Sequence, residues 1–477
     1  MNKQELAKMI DQTLLKPYVS LEDLRRHCVQ AAEYGFKTVA INNAPVPFCK
    51  AILKDSGVDL IVAETMINIE ETLAAVDAAS TVCELPIMCT MTVDADGSIF
   101  SGGNAIEAAV SLEAAGADAV GVNCSLGPDE LFPIVEEMAK WTTLPLVVKP
   151  NAGLPDPVTG EYLVDPAEFA QAVVKFAQLG VTVYGGCCGT TPEHIKAAYD
   201  LLEQAEIPKR ENIQIPAAVC SASEVVQIDQ PRIIGERINP TGKKRFKAAL
   251  QANDMDYILD QAVQQVDAGD VNVGMPGIDE KGMMIRTVKA LQSIGGTPLQ
   301  LDSTIPAVME AALRVYNGKP IVNSVNGEEA SLQNILPLVK KYGAAVVGLT
   351  LDENGLVSGV SEELTKNLET LLKLAKEYGL NLAFVLLPGT AQTFELKGKA
   401  TYDKVSQVIA NPDTYIENVV APVCEILSSY PDVVLSVDVL SNPEGEIYDT
   451  SKIYGTSWNV VQNFIKKNAA AVKKALP

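Results

Sequence analysis

Residues 105–151 read AIEAAVSLEAAGADAVGVNCSLGPDELFPIVEEMAKWTTLPLVVKPN. Apolar side chains recur three to four apart over 105–115, then form a short run over 119–124 broken only by Asn123. Helical spacing returns over 130–140, and a second apolar run follows over 145–149. Helix, strand, helix and strand alternating this closely require parallel pairing through right-handed crossovers. Runs apolar on both faces belong to a sheet covered by helices. Working outward, the same rhythm predicts strands at 37–42, 59–64, 86–93 and 182–186, with a weaker one at 13–16. Helices fall at 21–34, 70–79 and 166–179. Residues 203–229 are polar, contain proline and lack periodicity, so they read as an interdomain connection. The rhythm restarts with strands at 232–237, 270–273, 298–302, 320–325, 344–350, 382–387 and 433–439, and closes on an amphipathic helix at 457–476.

The count is about seven strands in each half, where a closed barrel of this kind needs eight. The predicted fold is therefore α/β, with two (β/α)8 TIM-barrel-like domains, each one strand short. They cover 1–205 and 230–477 and are joined by a linker at 206–229. The chain's 477 residues, 47% of them hydrophobic, suffice for two cores.

Charge and composition exclude several function classes. Lys and Arg number 38 against 60 Asp and Glu, a net charge of −22, which repels phosphate backbones and anionic membranes. Aromatic residues make up only 5%, too few for stacking on bases. No apolar window of about 18 residues offers a membrane span, and the charged N-terminus lacks a signal-peptide core. The sequence thus predicts a cytoplasmic protein with neither nucleic-acid nor membrane partners. Two histidines, His27 and His194, leave little material for histidine metal sites or Ser-His-Asp triads.

The nine cysteines are an odd number, spread too thinly for a disulfide framework. Three of them fall just after strands: Cys124 follows AVGVN, and Cys187 and Cys188 follow TVYGG. Three thiolates converging on one rim would bind Zn²⁺ and leave a fourth position open. The resulting net charge of −1 would keep a fourth, substrate thiolate deprotonated and nucleophilic, as alkylation of a thiol requires. The competing reading is three buried core cysteines without a metal.

GVNCSLGP, PNAG at 150–153 and GGCCGTTPEHI resemble the homocysteine S-methyltransferase family, in particular the homocysteine module of cobalamin-dependent methionine synthases. The resemblance runs from about residue 58 to 202. It implies that Cys124, Cys187 and Cys188 ligate Zn²⁺, that Glu64 in AET holds the amino group of homocysteine, and that Asn151 lies beside the metal. In the second half, IIGERINPTGKKRFK, DVNVGMPGIDEK, LQLDST, NGKPIVNSVNGEE and KYGAAVVGLTLDENG resemble the pterin-binding module of the same enzymes over about 232–355. That resemblance implies methyltetrahydrofolate as a ligand, with Asp302 and Asn323 binding the pterin amide and amino groups. Asn239, Asp270 and Asn326 would line the same rim. A strand-end carboxylate suits the two parallel N–H donors of a 2-amino-pyrimidinone edge. The alternative for each of these residues is a turn or capping role.

The ends of the chain depart from this pattern. Residues 1–57 resemble the start of deoxyribose-phosphate aldolase, with Gln12 where that family has histidine and without its Schiff-base lysine region. The strand and GAMGT-like turn that open the homocysteine module are not found. Residues 380–477 resemble a glycoside-hydrolase barrel of the cellulase–mannanase clan through DVLSNPEGEIYD at 438–449. There Asn442 stands at the acid/base glutamate position and Glu444 lies two residues on, so the carboxylate pair is incomplete. The expected function is zinc-dependent methyl transfer to homocysteine, paired with a methyltetrahydrofolate-binding barrel, with cobalamin supplied by a separate corrinoid protein or domain. The alternatives are a non-catalytic, recombined or designed barrel scaffold with vestigial sites, and a carbohydrate-active enzyme. No catalytic acid, base or nucleophile is assigned.

Overall fold

The computed structural model describes residues 11–14, 19–34, 38–41, 49, 60–210, 213–228, 234–241, 243–263, 268–326, 328–349, 351–352, 355–356, 383–386 and 433–436. The chain separates into two compact units, 1–216 with 222–224, and 217–221 with 225–477.

In the first unit, β1 (Asp11–Leu14) pairs in parallel with β2 (Thr38–Ile41) on either side of helix α1 (Leu21–Tyr34). A five-stranded parallel sheet follows in sequence order: β3 (Ile61–Met66), β4 (Ile87–Met91), β5 (Ala119–Asn123), β6 (Leu146–Lys149) and β7 (Val181–Tyr184). Helices alternate with these strands: α2 (Ile69–Val82), α3 (Ala105–Ala114), α4 (Pro128–Met138), α5 (Pro166–Leu179) and α6 (Pro192–Leu202). Side chains at the termini start and stop the helices. Asn68 Oδ1 accepts the Glu71 N–H at 2.8 Å, Asn104 and Glu107 form a reciprocal capping box, and Asp165 accepts from Ala167 and Glu168. Pro166 and Pro192 occupy first-turn positions where no N–H is needed, and α5 ends on Gly180 in the left-handed region. His194, in the first turn of α6, bonds the Thr191 hydroxyl at 2.9 Å and the Val164 carbonyl at 2.9 Å, a structural role.

The core lies between sheet and helices, with Val120, Val122, Leu146 and Val148 of the strands meeting Val76, Leu112, Leu131, Val135 and Phe176 of the helices. Each such side chain removed from water contributes about 1.5–3 kcal/mol. Beyond α6 the Arg210 guanidinium donates to the carbonyls of Leu144, at 2.8 Å, and of Ala139 and Thr142. It ties residues after the last helix to the turn that launches β6.

Residues 206–229, read from the sequence as a connection, hold an antiparallel hairpin of β8 (Ala218–Cys220) and β9 (Val225–Gln227). These strands are three residues each, too short to show a period, yet they bury Val219 and Val226. The second unit's seven-stranded parallel sheet is again in sequence order: β10 (Ile234–Ile238), β11 (Ala268–Val271), β12 (Leu299–Asp302), β13 (Ile321–Val325), β14 (Ala345–Leu349), then strands at Ala383–Leu386 and Val433–Ser436. Helices Lys244–Ala252, Met255–Ala262, Glu280–Ile294, Pro306–Val315 and Glu329–Tyr342 intervene. Their apolar faces close a second core around Val271, Leu301, Val322 and Val346. The glycosidase-like segment 438–449, with Asn442 and Glu444, and the helix at 457–476 lie outside the described residues, as does most of 42–59. Among the described residues no helix is long and apolar enough to cross a membrane.

Candidate functional site

At the C-terminal end of β5 the backbone turns sharply. Cys124 and Ser125 both take positive φ, 63° and 56°, which side-chain-bearing residues adopt at a cost. Neighbouring strands hold the turn. The Cys124 N–H donates to the Lys149 carbonyl at 3.1 Å, and Asn123, fully buried, exchanges two hydrogen bonds with Thr65, at 2.7 and 3.0 Å. The loop after β7 is fixed against the end of β6. Cys187 N–H donates to Pro150 O at 2.8 Å, Cys188 N–H to Asn151 Oδ1 at 3.0 Å, and Ala152 N–H to Cys188 O at 2.9 Å.

These anchors bring the Sγ atoms of Cys124, Cys187 and Cys188 within 4.8 Å of one another, with Cys124 and Cys188 3.7 Å apart. A tetrahedral centre with Zn–S bonds of about 2.3 Å places its sulfurs about 3.8 Å apart. The spacing and the soft donor set therefore both suit Zn²⁺. Among the described residues this is the cluster of metal-ligating side chains. Its protons are shared unequally. The Cys187 thiol donates to Cys124 and holds it down to about 5, while burial and the nearby Glu64 charge oppose the shift. Cys187 is pushed up, because it serves as that donor and because it is buried.

Glu64, on β3, is engaged by Lys149 at the end of β6, with Nζ and Oε1 2.5 Å apart and both side chains largely buried. Asn151 is 3% exposed, and its amide oxygen is spent on the Cys188 backbone. Beside the cluster, Ile67, Thr92, Val93, Asp94, Phe100 and Ser125 line a cavity of ≈ 270 Å³. The Thr92 hydroxyl bridges the Asn123 carbonyl at 2.8 Å and the Ser125 hydroxyl at 3.0 Å. Sequence reasoning missed Lys149, Asn123 and this cavity.

In the second unit Asp302, at the end of β12, is the register partner of Asn323, midway along β13. Asn272, one residue past β11 in the DVNVG motif, donates to Asp302 Oδ2 at 2.9 Å. A carboxylate between two amides thus lies across three adjacent strands. Asn272 was missed, although it directly follows β11 and is of the same residue type as Asn323. Asp270 lies deeper, 1% exposed, and accepts from Gln300 of the neighbouring strand at 2.6 Å. Asn239 accepts from Thr241 N–H at 2.8 Å and Asn326 from Glu328 N–H at 3.1 Å, the bonds of turn residues.

A Homocysteine S-methyltransferase family model matches residues 30–202, and a Pterin binding enzyme model matches 235–410. Over 359 residues the chain is 31% identical to the methionine synthase of Mycobacterium leprae (strain TN), an alignment covering 70% of this chain and 30% of the relative. Over 322 residues it is 34% identical to the methionine synthase of Mycobacterium tuberculosis (strain ATCC 25618 / H37Rv), covering 63% and 27%. The chain is a methionine synthase-like protein. It spans under a third of the length of these curated relatives. The apo form of the homocysteine methyltransferase MmuM from Escherichia coli overlaps 40% of the methionine synthase-like chain and 80% of its own, at 19% identity and a TM-score of 0.32. Both family matches reach further than the sequence motifs did, starting at residue 30 instead of near 58 and ending at 410 instead of near 355.

Proposed function

We propose that the first unit binds homocysteine for methylation at a zinc centre formed by Cys124, Cys187 and Cys188, and that the second unit binds methyltetrahydrofolate. The observation that carries this reading is the convergence of three thiols within 4.8 Å at the ends of β5 and β7, in a chain that is methionine synthase-like. When bound there, Zn²⁺ supplies a Lewis acid that lowers the pKa of a fourth, substrate thiol.

The chain's own residues orient the substrate. Asn151 fixes Cys188 through its backbone N–H, Asn123 and Lys149 fix the turn that carries Cys124, and Glu64 receives the substrate ammonium. In the reaction the homocysteine thiol gives its proton to solvent. Its sulfur then forms a bond to the methyl carbon as the bond from that carbon to the donor breaks. The donor in this reading is a methylated corrinoid on a separate protein or domain. In the second unit Asp302, flanked by Asn272 and Asn323, accepts from the amide and amino N–H groups of the pterin. In this reading the protein works in the cytoplasm, a reducing compartment that keeps such thiols free.

The test is metal analysis of protein purified without added zinc. We expect about one zinc per chain in the wild type, and loss of most of it in Cys188→Ala, because two thiolates hold the ion far less well. A wild-type chain that binds no zinc after reconstitution under reducing conditions would remove the basis of the reading.

A further inference from the structure

The ion pair between Glu64 and Lys149 has no part in holding a metal, yet it stands beside the thiol cluster. Glu64 is close enough for its charge to act on Cys124, and the Lys149 carbonyl accepts the Cys124 N–H. Two residues beyond Lys149, Asn151 holds Cys188. The lysine stem is fixed: a Cβ built on Gly185, just past β7, would lie 2.8 Å from Lys149 Cγ. The lysine and glutamate side chains are 9% and 17% exposed. Two opposite charges this deep are costly to desolvate, and a hydrophobic pair of similar volume commonly does as well or better. Stability alone is therefore a weak reason for the pair.

We propose that Lys149 is a specificity-determining residue that receives the substrate's α-carboxylate while Glu64 receives its α-ammonium, so that the pair reads a zwitterionic amino acid whose thiol reaches the cysteine cluster. This rests on the homocysteine reading above and adds to it a second charged contact. A zwitterion leaves the buried charge balanced: one ion pair is exchanged for two, with no net charge taken out of water. A thiol bearing only an ammonium must compete with Lys149 for Glu64 and adds an uncompensated positive charge. A thiol bearing only a carboxylate does the reverse at Lys149. The ammonium group of lysine offers three donors and a carboxylate about four acceptor sites, so each partner can serve a ligand group as well as the other. The site thereby selects against both one-armed thiols, which a lone glutamate would not do.

The experiment is calorimetric titration of the zinc-loaded full chain with three thiols: homocysteine, 3-mercaptopropylamine, which lacks the carboxylate, and 4-mercaptobutanoate, which lacks the amine. Wild-type protein is expected to bind homocysteine about 10–100-fold more tightly than either analogue, the range of one charge-assisted hydrogen bond. In Lys149→Met the affinity for homocysteine should fall by about the same factor. That for 3-mercaptopropylamine should stay within about 3-fold or improve, so the preference between them collapses. Lys149→Arg keeps the charge and should retain the preference. Zinc content and far-UV circular dichroism report whether each variant is folded. If the methionine variant does not fold, the wild-type ranking and the arginine variant decide the matter. Equal wild-type affinity for all three thiols overturns the role of Lys149 while leaving the metal reading intact, as does an equal loss for all three in Lys149→Met. A wild-type chain that binds none of the thiols overturns both.

Discussion

Replacing Asn151 with Ala removes one acceptor from one backbone N–H, and the structure sets the size of the effect. Asn151 is 3% exposed, and its Oδ1 accepts the Cys188 N–H at 3.0 Å. Cys188 is exposed but its N–H faces the buried Asn151, so leaving that donor unsatisfied costs at most about 1–3 kcal/mol. The other bonds of this loop, Ala152 N–H to Cys188 O and Cys187 N–H to Pro150 O, are main-chain and survive the substitution. Without metal, Cys188 can drift until water reaches its N–H, so the metal-free chain avoids most of the penalty. With metal, Cys188 Sγ must stay within bonding distance and the penalty is felt in full. The cost therefore falls mainly on zinc affinity, about 5–150-fold from the energy above, in line with the 10–100-fold usual for partners that orient a ligand. Competition with a chromophoric chelator at fixed pH measures it, and urea unfolding of the metal-free variant measures the remainder. Unchanged zinc affinity together with a loss of metal-free stability above about 2 kcal/mol would refute the reasoning, since Asn151 would then serve the fold and not the cluster.

In the second unit, Asp302→Ala should abolish calorimetric binding of methyltetrahydrofolate, whereas Asn326→Ala, which loses only a turn bond, should leave it within about 3-fold; equal effects would show that the row of Asn272, Asp302 and Asn323 is not the pterin contact. The metal-free cysteine cluster should be alkylated by iodoacetamide at pH 6 far faster than the unfolded chain. Cys124 is held down to about 5 in the folded state, so its thiolate is present above that pH and is lost only as pH falls through it. Cysteines of the unfolded chain ionise near 8.5; mapping of the modified residue by mass spectrometry checks the site, and a slow, uniform reaction would contradict the shared-proton arrangement. Gly121→Ala should destabilise the first unit by about 3 kcal/mol or more in urea unfolding, because the added Cβ would sit 1.8 Å from the Val147 carbonyl oxygen, and backbone between paired strands cannot move aside as a side chain can. A stability unchanged within about 0.5 kcal/mol would show that the strands part more easily than their pairing implies.

Much of this architecture was legible because helix-covered strands are apolar on both faces. AVGVN at 119–123 and LVVK at 146–149 are buried nearly throughout, and alternation with helices leaves little choice of topology. The three cysteines were legible because they follow strand ends, where loops from different strands meet. What escaped was whatever depends on side chains reaching between strands. Asn123 gives no local sign that it will grip Thr65, and Lys149 reads as the last residue of an apolar run until β3 and β6 bring it to Glu64. Asp270, Asn239 and Asn326 share the residue types of Asn272, Asp302 and Asn323, and only the hydrogen bonds separate those that cap turns or lie within the sheet from Asp302. The hairpin at 218–227 was hidden by its length, since three-residue strands show no period.

Arg210 also decides where the first unit can be cut. Its guanidinium closes off three carbonyls of the turn before β6, and the far end of that short strand carries Lys149, followed by Asn151. A fragment ending at residue 205, where helical periodicity stops, would leave those carbonyls to water and let the base of β6 fray. A fragment extended through residue 216 keeps the clasp. Shortening the chain by a few polar residues would in this way loosen a site to which none of them contributes an atom.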